Sequence, residues 1–183
     1  MLDLLSPMTL PRIRWLSIAA LVLGAVAGCD SGSRASPGGE ESSTVPRKTA
    51  GEDWNDEAIR WMGYEEGLAT ARAEGKPICL VFFTTWCPHC KTYSRVFRDP
   101  RVAEQAKGFV MIRLDKDENR ELSRQYAVDG EYIPRTFFLR PDGTLDRDIR
   151  AQRDRHQYFY DERKADGLLA GMKEASKLRA AGE

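Results

Sequence analysis

Hydrophobic and polar positions divide the chain into three stretches of different character. Trp15 to Ala27 is an apolar run preceded by Arg12 and Arg14, of signal-peptide length and shorter than the roughly 20 residues that a spanning helix needs. From Ser31 to about Asp53 the chain is Gly, Ser, Pro and charge with almost nothing to bury. It reads as a flexible tether able to span about 25 Å as a coil. Beyond it, Asp56 to Glu74 carries Ile59, Trp61, Met62, Leu68 and Ala69 among charges, and that spacing predicts an amphipathic helix ending at Gly75.

The later pattern is that of an α/β domain. Ile78 to Phe83 and Phe109 to Leu114 are continuous apolar runs of strand length, as expected of parallel strands buried on both faces. A helix between them, interrupted near Asp99-Pro100, completes a βαβ unit. Glu121 to Tyr126 is expected as a short helix, Thr136 to Leu139 as a third strand, and Pro141-Asp142-Gly143 as a turn into a fourth strand around Leu145 to Ile149. Gln152 to Tyr160 is polar and aromatic without a period. A last helix over about Glu162 to Ala180 places Leu168, Leu169, Met172, Ala175 and Leu178 on one face. The predicted fold class is α/β, a mixed central sheet flanked by helices on both sides, over residues 54–183.

Composition narrows the function. The 183 residues carry 28 Lys+Arg against 28 Asp+Glu, with 42% apolar and 31% charged. This balance excludes a multispanning membrane protein and a fully disordered chain, and gives no basic excess for nucleic acid.

The four cysteines have separate roles. Val26-Ala27-Gly28-Cys29 resembles the bacterial lipobox, in which the cysteine is diacylated and becomes the first residue of the mature protein. Residues 1–28 are then a lipoprotein signal, and 29–53 a tether from a lipidated Cys29. The anchor needs no spanning helix, because acyl chains contribute about 0.8 kcal/mol per buried CH₂. Asp30 is similar to the enteric inner-membrane retention signal. The expected location is the bacterial envelope, facing the periplasm. Cys79 reads as a buried strand cysteine, and His156 as a surface residue.

Cys87 and Cys90 form Cys-Pro-His-Cys between a strand and a helix. A dithiol catalyst needs an exposed, acidified nucleophile and a second thiol one helical turn away. Cys87 at a helix N-terminus, with Pro88 at the first helical position, suits the first, and Cys90 pointing inward suits the second. His89, when protonated, would stabilise the Cys87 thiolate. The competing readings are half a zinc site, for which Cys79, His89 and His156 are the other candidate ligands, a structural disulfide, and a soft site for Cu(I). No metal or other cofactor is assigned.

With Trp86-Cys87-Pro88-His89-Cys90 and Ile133-Pro134-Arg135-Thr136, the chain resembles the thioredoxin fold over about Asp53 to Ala180. It is most similar to the anterior-gradient thioredoxin-like proteins of the eukaryotic endoplasmic reticulum, through Gly130 to Arg135, Phe138 to Gly143, Tyr158-Phe159-Tyr160 and Gly171 to Ala175. The resemblance implies a thiol–disulfide oxidoreductase acting on protein thiols or disulfides, with a further redox partner. Cys87 would be nucleophile, Cys90 resolving thiol, Pro88 and His89 redox-tuning, and Trp86, Ile133 and a cis Pro134 client-binding. A client-binding module or holdase without turnover is the alternative. Val81 stands six residues before Cys87, where thioredoxins carry a buried acid.

Overall fold

The computed structural model describes residues 53–179. The signal segment, Cys29 and the tether up to Glu52 lie outside the described residues. A four-stranded sheet has the order β1-β3-β2-β4, with β1 Trp61–Met62, β2 Ile78–Phe83, β3 Val110–Asp115 and β4 Arg135–Leu139. β2 and β1 pair parallel with β3, and β4 pairs antiparallel with β2. The expected mixed sheet is present, and β2 occupies the predicted run.

Alternation along β2 divides the core. Cys79 and Val81 enter one buried cluster with Trp54, Cys87, Cys90, Tyr93, Phe97 and Met172. Ile78, Leu80 and Phe82 enter another with Ala71, Ile112, Tyr126 and Phe137. This is the two-faced burial that a continuous apolar strand implies. The second face is covered by α1, Tyr64–Glu74. A Cβ on Gly67 would collide with Ile112 Cδ1, so glycine permits the helix to approach β3 closely. Gly75 ends α1 in the left-handed region at φ 62°, donating its N–H to the Ala71 carbonyl, a common helix stop.

The first face carries α2 Pro88–Tyr93, a 3₁₀ segment Ser94–Arg98, α3 Pro100–Ala106 and α5 Asp166–Ala175. Asp99 caps α3 by accepting from Arg101 N–H, with Pro100 in its first turn. That pair makes the expected interruption. The short helix α4 spans Arg120–Gln125.

Three expectations need correction. Residues 56–62 are not helical: Asn55, at φ 62°, opens a turn in which its carbonyl accepts from Ala58 and Ile59, and Trp61–Met62 forms β1. Trp61 then packs on one face and Met62 on the other, a period of two that resembled a helical one over so few residues. The fourth strand reduces to a bridge between Leu139 and Leu145. Asp146 Oδ1 accepts from Asp148 N–H, and such a local turn diverts the backbone from the sheet. The last helix starts at Asp166 because Asp161 Oδ1 takes the Arg163 and Lys164 N–H groups.

Candidate active site

Strand β2 runs into Thr84-Thr85-Trp86 and delivers Cys87 as the N-cap of α2. Cys87 Sγ accepts a hydrogen bond from Cys90 N–H at 3.3 Å, and Pro88 occupies the first turn. The amide of a helix start thus points at the first sulfur. Cys79, Cys87 and Cys90 are free thiols.

Cys87 is not exposed as expected. It is 4% accessible, and Ile133 packs against the cluster holding both sulfurs. The cap position turns its side chain back over the helix start, into contact with the core. Cys90 lies below it, and burial raises its thiol above the usual range; the hydrogen bond with Cys87 and the charges of Cys87 and Asp115 add to this, while the Thr84 backbone opposes it. Cys79 is fully buried, and desolvation alone pushes its thiol up, so it is inert in the resting fold.

The other expected site residues divide into those near the dithiol and those turned from it. Trp86 is 64% exposed, and its Nε1–H donates to Asp117 Oδ2 at 2.8 Å. Asp117 is fixed in turn by its N–H on Asp115 Oδ1. The Ile133–Pro134 bond is cis, as the resemblance implies. His89 points away from the role given to it: its Nδ1 is 2.7 Å from Glu162 Oε2, with the Phe159 ring edge-on at 6.0 Å. Glu162 and Asp117 were missed, since the pattern placed one at the start of the last helix and the other sits in a run of charges. Beside His89 a groove of about 1350 Å³ opens toward α5, lined among others by Arg150, Phe159, Glu162, Gly167 and Glu174.

Val81 is fully buried, in register with Arg113 on β3 and Thr136 on β4. Thr136 Oγ1 is 2.8 Å from Tyr93 Oη, and burial raises the Tyr93 phenol. The buried Thr84 hydroxyl has no hydrogen-bond partner among the described residues. Among the described residues no group of three or more His, Cys, Asp or Glu is arranged to hold a metal ion. His156 is exposed and stacks on Tyr132 at 4.4 Å.

A mixed sheet, a strand-to-helix dithiol and a cis proline entering the antiparallel strand define a thioredoxin-like protein. Residues 60–141 match the thioredoxin-like family. Anterior gradient protein 1 of Xenopus tropicalis is 33% identical over 142 residues, covering 72% of each chain. The human anterior gradient protein 2 homolog is 29% identical, covering 72% of this chain and 74% of that protein. The chain belongs to the anterior gradient group of the thioredoxin-like family. Among solved structures, a thioredoxin from Thermus thermophilus superposes with a TM-score of 0.51 at 28% identity, covering 64% of this chain and 86% of that one. The oxidoreductase DsbH shares the fold at a TM-score of 0.50 and 23% identity, covering 66% and 86%.

Proposed function

We propose that the protein is a thiol–disulfide oxidoreductase that exchanges disulfides with protein clients through Cys87 and Cys90. The observation that carries this reading is the placement of the two thiols: Cys87 receives the Cys90 N–H at the start of α2, while Cys90 lies one turn on and buried.

In the reducing direction, the Cys87 thiolate attacks one sulfur of a client disulfide. The client S–S bond breaks, one client thiolate leaves, and a mixed disulfide forms at Cys87. Cys90 then gives up its proton and attacks Cys87 Sγ, releasing the second client thiol. The client gains two electrons and the protein is left with a Cys87–Cys90 disulfide. The oxidising direction reverses every step, and a separate redox partner resets the dithiol. Trp86 and Ile133 offer an exposed ring and a partly buried apolar contact beside the sulfurs, and Pro134 stands next to that contact for a client backbone to approach.

Cys90→Ala is expected to accumulate mixed disulfides with proteins in cells, and Cys87→Ser to abolish both trapping and turnover. Trapping by neither variant, with client binding retained in both, would make the protein a binding module. The lipobox pattern supports a second element of the proposal, attachment to the bacterial envelope through acylated Cys29. Labelled fatty acid should enter the wild-type protein and not Cys29→Ala, and an unlipidated wild-type protein would remove the anchor.

A further inference from the structure

Two irregular segments hold one another around Ile133–Pro134: residues 129–134, and residues 156–158 from the stretch in which the sequence shows no period. Tyr132 Oη is the hub. It donates to Asp129 Oδ1 at 2.7 Å and accepts from the Tyr158 N–H at 3.0 Å. The other Asp129 oxygen accepts from the Gln157 N–H at 2.5 Å, and the His156 ring lies 4.4 Å from that of Tyr132. On the far side of Pro134, the Thr136 N–H donates to the Tyr158 carbonyl at 2.8 Å. Residues 157 and 158 are themselves fixed. The Tyr158 ring is buried and packs on Phe137 of β4 at 4.5 Å, and the Gln157 carbonyl accepts from the Ala151 N–H at 2.7 Å. Burial, and after it the bond to Asp129, raise the Tyr132 phenol above its usual range, against the Tyr158 backbone and Arg135, so Oη keeps the proton that it donates.

We propose that Tyr132 is a positioning residue for protein clients: its hydroxyl latches residues 129–134 to the core-anchored residues 157 and 158, and so sets Ile133 where a client backbone meets the dithiol. This rests on the oxidoreductase reading and adds to it a residue that acts through its neighbour. Ile133 follows Tyr132 directly and packs against the cluster that contains Cys87 and Cys90. Residues 129–134 and 157–158 lie in neither helix nor strand, so the side chains of Tyr132 and Asp129, not a ladder, join residues 129 and 132 to 157 and 158. A phenol can donate and accept at once, and Tyr132 uses both capacities here. A client that docks on a loop held in the docking geometry for only part of the time binds more weakly by that fraction. A small disulfide that brings no extended backbone to the loop is indifferent to it.

The test is single-turnover reaction of the reduced protein with two disulfides over a range of concentrations: glutathione disulfide, and the disulfide-linked dimer of a single-cysteine peptide of about ten residues. Tyr132→Phe deletes only the hydroxyl. With the peptide it should raise the half-saturating concentration about fivefold and leave the limiting rate within about twofold. With glutathione disulfide the rate constant should change by less than about twofold. Asp129→Ala should reproduce the peptide effect, and the double variant should add no more than about twofold to it, because both substitutions open one latch. Tyr64→Phe is the control. It breaks the 3.0 Å contact between the Tyr64 and Tyr126 hydroxyls at the start of α1, and should lower the urea midpoint without moving the peptide's half-saturating concentration. A peptide effect in Tyr132→Phe no larger than in Tyr64→Phe, equal losses on the two disulfides, or a wild-type protein that does not saturate with the peptide overturns the proposal and leaves the oxidoreductase reading intact. A wild-type protein that reacts with neither disulfide overturns both.

Discussion

The two faces of the sheet each hold an arginine, and they treat it in opposite ways. On the face that carries the dithiol, Arg113 has 13% of its side chain exposed, pairs with Asp56 at 3.0 Å and lies among the rings of Trp54, Trp61 and Phe83. On the other face Arg135, fully buried, has no ion pair among the described residues. It donates instead to the carbonyls of Ser123, Tyr126 and Gly130 and to the Ser123 hydroxyl, between the rings of Phe82 and Phe137. Desolvation lowers both guanidinium groups from the usual arginine value, against Asp56 for one and against Tyr132, Glu131 and Asp129 for the other. The difference shows what each cation organises. Arg113 ties the incoming chain at residues 54–61 to β3, whereas Arg135 gathers the backbone of 123–130, the stretch that leads to Ile133–Pro134. A planar group with five donors can serve several carbonyls at once, which a carboxylate partner would have pre-empted.

That contrast breaks most readily at Arg135. Arg135→Leu removes four hydrogen bonds to Ser123, Tyr126 and Gly130 and should cost about 3 kcal/mol of stability, seen as a lower urea midpoint; a loss no larger than that of the Arg113 variant would show the two faces to be equivalent. On the dithiol face, a Cβ at Gly171 would meet Phe138 at 2.7 Å and the Tyr160 hydroxyl at 2.9 Å. Gly171→Ala should therefore cost about 2 kcal/mol by overpacking, again by urea denaturation. The same face gives a pH effect. The Cys90 thiol is raised, so its thiolate is scarce at neutral pH, and single-turnover release of a mixed disulfide should accelerate about tenfold per pH unit until the thiol titrates. A flat profile between pH 6 and 8, measured by stopped flow, would show that its deprotonation does not limit release. The smallest effect belongs to Arg113→Leu. Asp56 is about one-third exposed and remains hydrated, so the loss should be about 1 kcal/mol.

Sequence pattern reached the buried strands and the dithiol because both are local. Ile78 to Phe83 needed only an unbroken apolar run, and Cys-Pro-His-Cys after it needed only spacing. Pattern failed where the decision was made by partners far along the chain. Trp61 and Met62 become a strand through pairing with Met111 and Ile112, and Leu145 cannot extend its bridge because Asp146 turns the backbone. In the site, His89 was legible as a residue but not its direction, since Glu162 lies 73 positions away. Arg135 was visible within Ile-Pro-Arg-Thr, yet nothing nearby in sequence announces that three carbonyls of another segment await it.

The shelter around Cys87 bears on how the sulfur ages. A low-lying thiolate in open water meets hydrogen peroxide and climbs through sulfenic to sulfinic acid, and the last step is lost to repair in most proteins. Here Cys87 is 4% accessible, within the cluster that Ile133 packs against, with a second thiol one turn away. Any sulfenic acid that forms at Cys87 has Cys90 at hand to close it as a disulfide, returning accidental damage to the ordinary oxidised state.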